Sequence, residues 1–192
     1  AIYIELELES EDALDACYGR LEEILLAHDI DPDATWATFD RPGILDMKRF
    51  RHALPERINS ILGARKQKVA ELRKIGTDMV VPLGELPRMM DCYRDSLADL
   101  DVDYAIFGHI GNGHLHVNII PKSIAELEAG HELYREFAEL AVSMGGSVAG
   151  EHGIGRIKRD FLDIQYSGSE IAAMQKIKSE LDPDWRLNPG VL

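Results

Sequence analysis

Three histidines lie close together in the glycine-rich segment 108–116, which reads Gly-His-Ile-Gly-Asn-Gly-His-Leu-His. Side chains alternate between the two faces of a strand, so a strand over the end of this segment places His114, His116 and Asn118 on one face. A tight turn at the glycines brings His109 near the same face. Neutral imidazole is the commonest protein ligand for divalent transition metals, so the cluster indicates a metal site. The alternative is a hydrogen-bonded hairpin that holds no ligand.

A second chemically active group is the neighbouring pair Glu151 and His152, which stands between glycines in the segment Gly150–Arg159. Two histidines and a carboxylate, with open positions, form a recurring catalytic metal site. Lys158 and Arg159 add positive charge to an otherwise acidic chain, which suits an anionic substrate or cofactor. The alternative is a glycine-rich connector that leads into a helix.

Hydrophobic periodicity predicts the elements that position these groups. Strands are predicted at 2–8, 35–39, 78–82, 104–108 and 115–120, with a shorter one considered at 69–72. Helices are predicted at 11–28, 44–62, 85–97, 124–144 and 169–181, and Pro55 is expected to kink or break the second of them. The order mixes hairpin and crossover connections, which favours an α+β fold with an antiparallel sheet and a C-terminal helical segment.

Length and composition indicate one globular domain over residues 1–192, because 45% of the residues are hydrophobic and no linker interrupts the chain. The formal net charge of −13 makes nucleic acid an unfavourable partner. No apolar run approaches the ~20 residues that a membrane-spanning helix needs. Cys17 and Cys92 lack the spacing of a disulfide framework, which favours a reducing, cytoplasmic setting.

The two histidine motifs resemble the C-terminal domain of FAD-linked oxidases. This family includes the glycolate oxidase large subunit, D-lactate dehydrogenase and D-2-hydroxyglutarate dehydrogenase. The resemblance rests on Gly108–Asn118, Gly150–Lys158 and the closing segment Leu187–Leu192, and Phe50–Glu56 and Asp78–Pro82 also fit it. It implies a ferredoxin-like cap, in which helices pack on one face of the sheet.

The resemblance also implies roles for individual residues. A divalent metal, with zinc the expected ion, would be held by His109, His116 and Glu151. His152 would be the general base. The side chains implied or considered for substrate contact are Arg51, Lys74, His114, Asn118 and Lys158. Two positions depart from the family pattern, because Asn112 stands where the family usually has Asp and His114 where it usually has Asn. These departures bear on the metal and on substrate preference.

The function expected from the resemblance is oxidation of a D-2-hydroxy acid to the 2-oxo acid. FAD would be bound mainly by an N-terminal domain, in the same polypeptide or in a partner subunit, so this chain alone is expected to be inactive. A homodimer and peripheral contact with a membrane stay open. Two other functions also stay open: a self-contained metal-dependent hydrolase, and a non-catalytic ligand-binding module whose histidines only order a hairpin.

Overall fold

The computed structural model describes residues 1–192, apart from the side chain of Glu11. Helices combine with a three-stranded antiparallel sheet, which confirms the α+β fold class. The chain forms two compact units, Ala1–Arg57 and Ile58–Leu192, and each is described by itself. The assignment of residues 1–192 to one family domain stays a prediction.

The first unit contains helix α1, Glu11–Ala27, and most of helix α2, Arg41–Lys66. Ser10 caps α1, because its side chain accepts a hydrogen bond from the backbone N–H of Ala13. Pro55 lies inside α2 without ending it. Of the two predicted outcomes, the break is wrong, because one helix continues on both sides of Pro55, and the kink stays a prediction.

The strands predicted at 2–8 and 35–39 are wrong, because neither segment pairs with a neighbour in the described structure. A strand is stable only when its backbone groups bond to an adjacent strand. The alternating apolar residues of 2–8 are exposed instead: Ile2, Ile4, Leu6 and Leu8. The alternation of apolar and polar residues in 2–8 is typical of a strand, but it does not show whether a second strand is available to pair with it.

The second unit contains the sheet, with strands β1 (Ile75–Gly76), β2 (Asp103–His109) and β3 (His114–Ile120) in the order β1-β3-β2. The β2–β3 hairpin confirms the predicted pairing, and its register runs from Asp103 opposite Ile120 to His109 opposite His114. The strand predicted at 78–82 is wrong. Within it only Val80 forms isolated bridges, because Pro82 and a 3₁₀ turn at Leu83–Glu85 end the extended path. The stretch 69–72 holds no strand either.

Helices α3 (Leu86–Leu100) and α4 (Ile124–Ser143) supply the core against the sheet. Tyr93 and Phe137 meet edge to face across these helices, with ring centroids 4.7 Å apart. Val117 and Ile119 are fully buried in the same core. Strand alternation therefore leaves the other face of β3 for polar side chains.

The chain ends in two helices, α5 (Leu162–Gln165) and α6 (Gly168–Leu181). Asp182 follows α6 and pairs with Lys178, while its carboxylate also accepts backbone hydrogen bonds from Arg186 at 3.0 Å and Leu187 at 2.9 Å. Among the described residues, no helix has both the length and the apolar character required to cross a bilayer.

Gly113 closes the hairpin turn, and its replacement by alanine is expected to destabilise the protein. Its φ is +66°, and a Cβ placed on it would lie 2.0 Å from the carbonyl oxygen of Val81. We expect Gly113→Ala to lower the free energy of unfolding by roughly 1–3 kcal/mol, measured by urea denaturation. Gly111→Ala is the matched control, because a Cβ there meets nothing within 4 Å. Equal stability of the two variants would contradict this account of the turn.

Candidate functional site

The polar face of β3 carries the first part of the site. His116 lies next to Thr77, whose backbone oxygen is 2.7 Å from His116 Nδ1. A carbonyl only accepts hydrogen bonds, so Nδ1 carries the proton and Nε2 keeps its lone pair. Burial lowers the pKa of His116, and the nearby rings of His114 and His152 lower it further against the opposing effect of the Thr77 bond. The neutral form, which a metal ligand requires, is therefore favoured.

The carboxylate of Glu151 meets all three histidines of the hairpin. Its Oε1 lies 3.2 Å from His109 Nε2 and 3.6 Å from His114 Nδ1, and its Oε2 lies 3.9 Å from His116 Nε2. Glu151 thus lies close to both His109 and His116, but the ligand atoms of all three do not converge. His116, Glu151 and His152 do offer ligand atoms within 4.8 Å of one another, in a group that does not include His109. The side chains of His109 and Glu151 are 44% and 45% exposed, so a ligand can reach this point from solvent.

His152 stands beside this cluster and is the most exposed member, with 63% of its side chain accessible. Its ring stacks on that of His116, with centroids 5.2 Å apart and planes 7° from parallel. Its Nδ1 faces the Asp78 carboxylate at 3.7 Å. The ring therefore lies open to solvent beside His116.

Sequence reasoning missed Asp78, which it treated only as the start of a strand. Its side chain is 1% exposed, and its Oδ2 lies 2.5 Å from Lys158 Nζ. Burial by itself raises the pKa of Asp78, but Lys158 and the backbone N–H groups of Glu151 and His152 lower it more, so the carboxylate is ionised. The available signal was an acidic residue directly before the apolar run Met79–Val81, where only a paired charge is tolerated.

His114 lies behind the exposed cluster, with 4% of its side chain accessible. Its Nε2 is 3.2 Å from Asp78 Oδ1, so the ring stands between Asp78 and Glu151. Gly150 leaves room for it, because a Cβ at that position would lie 2.7 Å from His114 Nε2. His114 and Lys158 therefore both face Asp78, and their substrate contacts stay predictions.

Asn118 and Lys74 extend the polar face away from the cluster. Asn118 is 1% exposed, and its side-chain amide donates a 3.3 Å hydrogen bond to the backbone oxygen of His116. A Cβ placed on Gly76 would lie 3.6 Å from both Lys74 Cε and Asn118 Oδ1. Lys74 thus runs along the Asn118 side of the sheet.

Arg51 belongs to the first unit, where its guanidinium lies 5.9 Å from the Tyr3 ring centroid.

Comparison with known proteins gives the same family as the motifs. A sequence profile described as FAD linked oxidases, C-terminal domain, matches residues 34–192. The glycolate oxidase subunit GlcD of Bacillus subtilis is 34% identical over 115 residues, which are 59% of this chain and 24% of that protein. The D-2-hydroxyglutarate dehydrogenase of Xanthomonas citri pv. viticola is 36% identical over 121 residues, 60% of this chain and 26% of that protein.

A vertebrate relative shows the same pattern of coverage. The probable mitochondrial D-lactate dehydrogenase of Danio rerio is 34% identical over 116 residues, which are 59% of this chain and 23% of that protein. The matched region thus corresponds to about a quarter of each of these relatives. The profile match covers most of the chain and includes both histidine motifs. The chain therefore belongs to the family of FAD-linked oxidases, within its C-terminal domain.

Proposed function

We propose that this chain is the substrate-binding and capping part of an FAD-dependent oxidoreductase that converts a D-2-hydroxy acid into the 2-oxo acid. The meeting of Glu151 with His109 and His116, beside the exposed His152, is the observation that carries the proposal. The names of the relatives support this substrate class, since they specify glycolate, D-lactate and D-2-hydroxyglutarate.

We propose that the site holds a divalent metal, with zinc the expected ion. His109, His116 and Glu151 would hold the ion, since two imidazoles and one carboxylate with open positions are typical of catalytic zinc. The bond from His116 Nδ1 to the Thr77 carbonyl supports the fit, because it aims the Nε2 lone pair at Glu151. Such an ion, when bound, would lower the pKa of the substrate hydroxyl.

His152 accepts the proton of the substrate hydroxyl in this proposal. Its side chain is 63% exposed, which lets a ligand reach the ring, and its Nδ1 lies 3.7 Å from Asp78 Oδ1. Lys74 supplies positive charge for the substrate carboxylate, and the substrate contact of Arg51 stays a prediction. FAD, bound mainly by a separate domain or subunit, would supply the two-electron oxidation.

The experiment uses the intact protein that contains this chain, purified with its FAD. We expect one equivalent of metal per chain by elemental analysis. We also expect anaerobic bleaching of the flavin absorbance by at least one of glycolate, D-lactate and D-2-hydroxyglutarate. Removal of the metal with a chelator should slow the bleaching, and added zinc should restore it. Unchanged bleaching without metal would contradict the metal assignment, and no bleaching by any of these acids would contradict the substrate class.

Replacement of Glu151 tests the same site at one residue. We expect Glu151→Gln to weaken zinc binding by more than about 100-fold, because a direct ligand should matter more than its outer partners. Equilibrium dialysis against a competing chelator measures the change. Glu139→Gln is the control, since Glu139 is 55% exposed and pairs with Arg135 on α4. Wild-type zinc affinity in the Glu151→Gln variant would show that Glu151 is not a metal ligand.

A further inference from the structure

We propose that Asp78 is a positioning residue that holds Glu151 and His152 against the histidine hairpin before any ligand binds. The inference rests on the proposed function, because the groups that it positions are the proposed ligand and base. It adds a residue that neither the motifs nor the resemblance singled out.

The contacts of Asp78 join three separate parts of the chain. Its carboxylate accepts hydrogen bonds from the backbone N–H groups of Glu151 at 3.2 Å and His152 at 3.1 Å. The same carboxylate lies 3.2 Å from His114 Nε2, in the hairpin, and 2.5 Å from Lys158 Nζ. The backbone oxygen of Asp78 accepts a further bond, 2.7 Å long, from the N–H of Gly150. One residue therefore anchors residues 150–152 by three consecutive backbone groups.

These contacts favour positioning over direct ligation. Both carboxylate oxygens of Asp78 already have partners, and the side chain is 1% exposed. Asp78, His114 and His116 do offer ligand atoms within 4.8 Å of one another, but the buried ammonium of Lys158 already balances the charge of Asp78. The groups that Asp78 holds are more open to solvent, since the side chains of Glu151 and His152 are 45% and 63% exposed. The buried carboxylate thus supports exposed groups that can meet a ligand.

The arrangement has two consequences for the site. Anchoring the backbone of Glu151 fixes where its carboxylate meets His109 and His116. Asp78 Oδ1 also lies 3.7 Å from His152 Nδ1, so the buried carboxylate stands beside the proposed base. Preorganisation of this kind lowers the cost of ordering the site when a ligand binds.

The test compares Asp78→Asn with two other variants in the intact FAD-containing protein. Asp182→Asn is the matched control, because Asp182 is also a buried carboxylate with one lysine and two backbone N–H partners. The double variant Asp78→Asn with Lys158→Met removes both members of the buried pair, so no charge is left unpaired.

Two measurements are made on each variant. The first is amide hydrogen exchange of residues 151 and 152 in metal-free protein, where we expect at least tenfold faster exchange in Asp78→Asn and no change in Asp182→Asn. The second is zinc affinity, where we expect a loss of about 10–100-fold in Asp78→Asn, the range typical of partners that orient metal ligands. The double variant should regain thermal stability but not zinc affinity.

Each outcome separates this inference from the proposed function. Wild-type zinc affinity in a folded Asp78→Asn variant, or recovery of affinity in the double variant, would overturn the positioning role. If the wild-type protein itself binds no zinc, the proposed metal centre is wrong. Amide exchange is then the only measurement that tests the positioning role of Asp78. Faster exchange at residues 151 and 152 then supports the anchoring by the Asp78 side chain, and unchanged exchange overturns it.

Discussion

Replacement of His152 by asparagine in the intact, FAD-containing protein is expected to lower kcat for its D-2-hydroxy acid by about 10²–10⁴-fold, the usual contribution of a general base. Asparagine is close to histidine in size but cannot accept the proton at neutral pH. His152 is exposed and packs only its ring face on His116, so the fold should survive the change. Stopped-flow measurement of flavin bleaching reports the reductive step directly.

The control for this prediction is His131→Asn, which changes an exposed histidine on α4 outside the cluster. We expect this variant to keep the wild-type rate. FAD content, read from the flavin absorbance, should be the same in all three proteins because His152 is not expected to hold the cofactor. A His152→Asn variant that bleaches its flavin at the wild-type rate would show that another group takes the proton.

The second large effect is expected from Lys158→Met, which should lower the free energy of unfolding by about 3–5 kcal/mol. The substitution leaves the Asp78 carboxylate buried without its cation, 2.5 Å from where the ammonium stood. For a chain of this size the melting temperature should fall by roughly 6–20 °C. Thermal denaturation followed by circular dichroism measures the shift.

An exposed ion pair provides the control. Lys122 Nζ lies 3.1 Å from Asp103 Oδ1, and both side chains are 48% exposed. We expect Lys122→Met to cost no more than about 1 kcal/mol, because water screens an exposed pair. If Lys158→Met costs no more than Lys122→Met, burial does not make the Asp78 pair important for stability.

The pH dependence of stability follows from the same pair. The pKa of Asp78 in the folded protein lies below its usual value of 3.8, so ionised Asp78 stabilises the fold. That contribution is complete above the usual pKa and is lost as the pH falls through the lowered one. Lys158→Met removes a main cause of the lowered pKa. The difference in the free energy of unfolding between this variant and the wild type should therefore become smaller in acid.

Local patterns were reliable where a segment and its partner are neighbours in the chain. The β2–β3 hairpin follows from two apolar alternating runs separated by a glycine turn, and α4 follows from one long amphipathic stripe. The segment 2–8 alternates as clearly as β3, yet it pairs with nothing in the described structure. A strand is a property of two segments, and periodicity describes only one of them.

The same distinction holds for the candidate site. The types and spacing of His109, His116, Glu151 and His152 were enough to nominate them, because glycines and imidazoles in short motifs are local signals. Asp78 gave no comparable signal, since a single acidic residue next to an apolar run is common in any sequence. Its importance arises from contacts with residues that follow it by 36 to 80 positions.

Residue order alone therefore predicted the family and the α+β class, both of which are confirmed, and nominated the histidine and glutamate groups. All of these predictions depend on short-range patterns. The folded structure established which groups are in contact. Glu151 contacts the hairpin histidines, and buried Asp78 contacts both His114 and the backbone of Glu151. Folding also buried Lys158 and His114, both of which had been considered for substrate contact. Burial and charge pairing depend on the packing of distant segments, and no short stretch of sequence contains that information.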